Sequence, residues 1–461
     1  MKIKILAFSF VFLFFGIAFA EYNIFAIPDS AEIRRTIVDS WISAPVSEVR
    51  NYKEDLRKNR IGETFQIRME ENETEVSVIV APRSELDVDL INGDSHRIVR
   101  AAVYPKGAAG SWVLFREKNS GKPLRVEWHF NPDPDVFLVF RPQAQKTLVD
   151  MSVFGSFAAK SVPLGVPFER IYTAGFQDVK NWTQKTLPWE KVSVETGLYR
   201  DSLMMAGIIK SNLDSIVFTE DACYDSKGKL KSVITGKDYI LKDESGFEIS
   251  LDEKKLYLSG AGFLKWIVDG IVEPATGLGT SISDLTEPTV EFDSVGKIGV
   301  MSQEWNLYFT LDWCRNLAAK AYSVRSRRNV DFKSAGLDVN KNYFASEVSG
   351  GKISTSSGYI KNTGYSIEKI KSVLYVLAVT EPSWFYLAAI RQGSCLKPDE
   401  LVFNNCAVFF PYFDNNGKFG CFVFEQGKEI SLEKFVKKYK DAYIHLERVK
   451  SLEAFFPYEK K

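Results

Sequence analysis

Residues 257–274 read YLSGAGFLKWIVDGIVEP, and the reading of the chain's second half is decided there. A short apolar strand over residues 256–258 runs into Gly260 and Gly262, which bracket Ala261. Phe263, Leu264, Ile267, Val268 and Ile271 then recur along one broad face, the spacing of a helix that buries one side. Gly270 and Pro274 are the residues expected to end it. The start of such a helix carries the positive end of the backbone dipole, a place that favours an anionic group such as a thiolate.

The last hundred residues supply a second pattern. Residues 407–413 and 419–424 are apolar runs flanking Asp414-Asn415-Asn416-Gly417, a hairpin signal. A short helix over 431–439 and a closing strand over 443–449 follow. Glycine-led helix, hairpin, helix and final strand together resemble the NlpC-type peptidases, papain-like cysteine endopeptidases of bacterial cell walls. In that family the helix segment reads roughly Asp-Cys-Ser-Gly-Phe-Val-x-Trp/Tyr, and the first hairpin strand opens with the catalytic histidine. Residues 260–266 here read GAGFLKW, so Gly260 stands at the nucleophile's position. Residues 405–410 read NCAVFF, so Cys406 takes the histidine's place. The resemblance implies a papain-like α+β domain over residues 190–461, with insertions around 278–400 and a degenerate site lacking both nucleophile and base. Its implied ligand is a peptidoglycan peptide or a protein partner.

A second reading is an active cysteine hydrolase with displaced residues, Cys314 or Cys406 as nucleophile and His445 as base. Cys314 falls inside a helix expected over residues 303–322, among Leu307, Leu311, Leu317, Ala318 and Ala321, which favours a packed thiol over a reactive one. His445 alternates with Tyr443 and Glu447 in the closing strand, a pattern of surface or core placement.

Residues 1–20 read as a secretory leader: Lys2 and Lys4, an apolar run over 5–17, and Ala18-Phe19-Ala20 as cleavage site, giving a mature start at Glu21 and a periplasmic or secreted product. No later stretch is apolar over a membrane-spanning length. Residues 21–160 are strand-rich, with runs at 75–80, 97–104, 111–116, 124–130 and 135–140, the pattern expected of an immunoglobulin-like β-sandwich. Residues 161–189, punctuated by Pro163, Pro167 and Pro188, are expected to connect the two domains through a helix over 169–182.

Chemistry is otherwise sparse. The 59 basic and 59 acidic residues balance, and loss of Lys2 and Lys4 leaves 57 against 59, so nothing pulls the chain toward nucleic acid. Five cysteines include no Cys-x-x-Cys pair, and three histidines (His96, His129, His445) include no chelating spacing, so no metal or cofactor is expected. Ser-x-x-Lys occurs at 349–352, 366–369 and 431–434 without the other boxes of serine acyl-transfer enzymes. Gly-x-Ser-x-Gly, P-loop and dinucleotide fingerprints are absent.

Overall fold

The computed structural model describes residues 27–459 apart from 93–94, 244, 291–307, 350–351, 355–357 and 394–400. The expected leader and its expected cleavage point, Cys395, and part of the Ser-x-x-Lys match at 349–352 lie outside the described residues. The class is α+β, with one large antiparallel sheet in each half of the chain.

In the N-terminal half eight strands form a single sheet in nearly sequential order: Asp55–Lys58, Thr64–Glu71, Glu75–Pro82, Trp112–Glu117, Pro123–His129, Val136–Gln143, Lys146–Val153 and Ser156–Leu164. The hairpin Ser84–Asn92 with Ser95–Val103 leaves the ladder between the third and fourth of these. The expected β-sandwich is therefore replaced by one meandering sheet, and no second facing sheet closes its core among the described residues. Alternation along a strand reports only that one face is covered, not whether a sheet or helices cover it. Here helices do so. Phe65, Val78, Trp112, Trp128, Leu138 and Met151 share a buried cluster with Ile33 and Trp41 from the first helical segment and with Ile171 and Val179 from the stretch expected as a connector.

Arg34, in the helix Ala31–Thr36, ties these pieces together. Its guanidinium lies over the rings of Trp112 and Trp128, 5.1 and 4.9 Å from their centroids. It donates to the carbonyls of Ile171, Tyr172 and Ala174 at 3.1, 2.8 and 2.6 Å. These carbonyls end the short helix Arg170–Thr173, where a cation complements the exposed acceptors. Burial pushes the Arg34 guanidinium down to about 9. The single helix expected over 169–182 is broken at Gly175 into Arg170–Thr173 and Phe176–Thr183.

The second half is built on six antiparallel strands in the order Tyr365–Ser366, Tyr443–Lys450, Trp384–Gly393, Leu401–Phe413, Phe419–Glu425 and Lys428–Ile430. One face packs on the helices Gly260–Thr276 and Phe309–Ser326, through Phe263, Ile267, Trp313 and Leu317. The opposite face packs on Ile370–Thr380 and Leu432–Lys438, and its cluster is continuous with that of the N-terminal sheet. At the seam Asn131 donates to the Tyr375 hydroxyl at 2.7 Å, and the Phe419 amide donates to Asp133 at 2.9 Å.

Two local expectations are corrected. The Gly260–Thr276 helix runs through both Gly270 and Pro274 and ends at Gly277 in the left-handed region, φ +78°. Gly270 serves close approach instead of termination: the C-terminal tail crosses there, and the Phe456 amide donates to the Gly270 carbonyl at 2.9 Å. A two-residue Asn415-Asn416 turn would place Cys421 opposite Phe410; it pairs instead with Pro411, because Asp414 to Lys418 form the loop. Cys406 and Cys421 remain apart, since Cys406 packs into the core under the Gly260–Thr276 helix and Cys421 against the opposite core.

Candidate functional site: a cleft at the Gly260 helix and a buried acid-histidine cluster

The strand Leu256–Leu258 pairs in parallel with Ile216–Phe218 and delivers the chain to the helix. Ser259 caps it, its hydroxyl accepting from the Gly262 amide at 3.1 Å. A Cβ on Gly262 would collide with the Ala222 carbonyl oxygen, so that glycine lets the first turn press against the preceding loop. Gly260 is different. A Cβ there would meet the Cys406 sulfur at 3.4 Å and Gln426 at 3.9 Å, ordinary contact distances. The helix start and the strand Leu401–Phe413 thus meet at the two positions singled out in the sequence. Around them opens a cleft of 720 Å³ whose lining includes Phe218, Glu220, Ile234, Phe403, Asn404 and Gln426.

Neither cysteine here is poised to attack. Cys406 is 3% exposed, and burial raises its thiol far above the ordinary range. Cys314 lies in the second turn of Phe309–Ser326, fully buried, its thiol also raised well above normal by burial and by neighbouring Cys406. A nucleophilic cysteine needs the opposite environment, one that lowers its pKa. His445 stands in the same cross-strand row as Cys406, with Ala389 between them. Two strand spacings put their backbones about 10 Å apart. The His445 ring is wholly buried and held down to about 3 by burial, so it is a neutral imidazole.

The structure assembles a cluster around His445 that the sequence did not reveal. Tyr359 Oη lies 3.0 Å from His445 Nε2, and Glu447 Oε1 lies 2.8 Å from Nδ1. Arg315 grips Asp338 with two donors, at 2.6 and 3.3 Å, and its Nε lies 3.7 Å from Glu447. Burial and the Asp338 carboxylate raise the Glu447 carboxyl well above its usual range. Arg315, Asp338 and Tyr359 of this cluster line a second cleft of 560 Å³, with Thr289 and Asn340 among its other walls, and His445 and Glu447 lie buried behind them. Only the alternation of His445 with Glu447 was visible in advance; the other members are scattered over residues 315–359.

Among the described residues no helix is long and apolar enough to cross a membrane. No curated protein and no solved structure matches the chain. Residues 23–191 match a family described as a domain of unknown function, DUF8515. That stretch coincides with the N-terminal sheet and the helices that cover it, and stops short of both clefts.

Proposed function

We propose that the chain is an exported cell-envelope protein whose second half is a catalytically degenerate NlpC-like domain, and that its Gly260 cleft holds a short peptide without cleaving it. The peptide is that of peptidoglycan or of an envelope protein. One observation carries this reading: the helix start and the facing strand abut at Gly260 and Cys406, where a papain-like site would join nucleophile to base, and neither residue supplies one. Cleavage requires an activated thiolate with a base within hydrogen-bond reach. Binding requires only walls. Phe218 and Phe309 offer apolar surface, and Asn404, Asn405 and Gln426 offer amide donors and acceptors suited to peptide groups. Export rests on the leader pattern of residues 1–20. The reading with displaced catalytic residues lacks support, because both thiols are raised by burial and the His445 ring faces Tyr359 and Glu447.

The test is calorimetric titration of the mature chain with a synthetic peptidoglycan stem peptide, followed by mass analysis of the peptide. Saturable binding with the peptide intact is expected, and Asn404→Trp, an exposed position on the cleft wall, should abolish it. Alkylation-sensitive cleavage would overturn the degenerate-site reading, and absence of binding would overturn the peptide ligand.

A further inference from the structure

We propose that Asp338, His445 and Glu447 form a binding site for a divalent transition-metal ion of the zinc class, reached from the second cleft. The three residues present one nitrogen and two carboxylate oxygens, all within 4.8 Å of one another. That mixture of imidazole and carboxylate suits zinc, cobalt or manganese better than calcium or magnesium, whose sites are built from oxygen alone.

A set of acids and a histidine would not by itself argue for an ion. The independent observation is that His445 Nδ1 and Glu447 Oε1 are wholly buried and neither makes a directed hydrogen bond, although they lie 2.8 Å apart. Buried polar atoms of this kind are few in folded proteins and call for a reason. Two ligand atoms held at about 2.0–2.2 Å from one tetrahedral zinc ion lie about 3.3–3.6 Å apart, so the pair would open by roughly half an ångström or more to admit one. Proximity without directed hydrogen bonding is what two ligands of one ion present.

Charge and access agree. The cluster sets the carboxyl groups of Asp338 and Glu447 against one guanidinium, Arg315, and an ion would displace the proton that burial favours on Glu447. Arg315 occupies Asp338 from one side, with its remaining donors spent on Thr289 and Asn362. A carboxylate has about four lone-pair sites, and this clamp leaves others free while fixing the group's orientation. Tyr359 holds the opposite nitrogen of the His445 ring, the kind of outer partner that orients metal-binding histidines. Asp338, with its side chain 22% exposed, lines the 560 Å³ cleft and gives an ion its way in. The sequence excluded only sites with paired histidines at chelating spacing; this one uses a single histidine and two carboxylates from separate elements.

The experiment uses the full mature chain, treated with a chelator and then dialysed. Zn²⁺ is titrated against a chromophoric competitor, and Co²⁺ binding is followed by visible absorption. One equivalent of each ion is expected, with affinity lowered about tenfold or more in Glu447→Gln and in Asp338→Asn. The second variant alters a residue at the cleft surface, so it remains informative if Glu447→Gln does not fold. A melting curve in chelator, alike for wild type and variant, shows that the fold is retained. Absence of saturable Zn²⁺ binding, or equal affinity in wild type and Asp338→Asn, overturns the proposal.

Discussion

Replacing Gly260 with cysteine tests the meeting of helix and strand directly. A Cβ at 260 stands 3.4 Å from the Cys406 sulfur. In a disulfide the distance from one Cβ to the other sulfur is about 3.0 Å, given the S–S bond of about 2.04 Å, so a shift of a few tenths of an ångström completes the bond. The backbone at Gly260 is not in the left-handed region, so the side chain adds no strain of that kind. The loop closed would exceed 100 residues, for which the chain-entropy account gives about 5 kcal/mol and real disulfides commonly less. We expect Gly260→Cys to oxidise in the folded state, lose 2 Da (~2, one hydrogen per thiol), and yield a peptide linking residues 260 and 406. Reductant should lower its melting temperature. A folded Gly260→Cys protein that keeps both thiols free under oxidant would refute the geometry on which the functional proposal stands.

The seam between the halves gives a pH prediction. Burial pushes the Asp133 carboxyl up from 3.8 to about 6, against the opposing effects of the Phe419 amide, Lys371 and Lys418. The folded chain therefore holds this proton more tightly than the unfolded chain, and the associated stability is full below the unfolded value of 3.8 and lost as pH rises through about 6. Asp133→Asn keeps an acceptor for Phe419 and should gain roughly 1–3 kcal/mol at pH 7 relative to pH 4. Denaturant melts at the two pH values check this, and an unchanged pH slope in the variant would count against it. Gly270→Ala should destabilise, although alanine is the better helix former by about 1 kcal/mol. A Cβ at 270 would stand 2.6 Å from the Phe455 ring and 3.0 Å from the Pro457 backbone, and such overpacking costs about 1–3 kcal/mol. Faster proteolysis of the C-terminal tail should accompany the lower melting temperature, and a variant as stable as wild type would exclude the tail's close approach.

Much of the fold was legible where one face of a strand or helix is buried. The run at 124–130 alternates, those at 75–80 and 135–140 are short apolar runs bounded by polar turn residues, and each is a strand. The hairpin at 414–417 was likewise marked by its turn residues. The central strand of the second sheet was not. Phe385 to Ile390 are buried on both faces, so WFYLAAI shows no alternation to distinguish strand from buried helix. The preceding helix Ile370–Thr380 is almost wholly buried and equally featureless. The approach of Gly260 to Cys406 was suggested by family resemblance, since no local pattern links positions so far apart. Beyond the alternation of His445 with Glu447 the cluster had no linear signal, because Arg315, Asp338 and Tyr359 reach it from separate segments.

Arg34 also sets an order of events. Its acceptors lie 137 to 140 positions further along the chain. During synthesis the helix Ala31–Thr36 precedes them, so the carbonyl acceptors of its charged side chain are absent until residues 171–174 have been made. Until then the eight strands can pair but their apolar face, Trp112 and Trp128 included, lacks the cover of Ile171 and Val179. A chain halted after Leu164 would hold a complete ladder over an open core, so commitment of the N-terminal unit comes with its last helices, not its last strand.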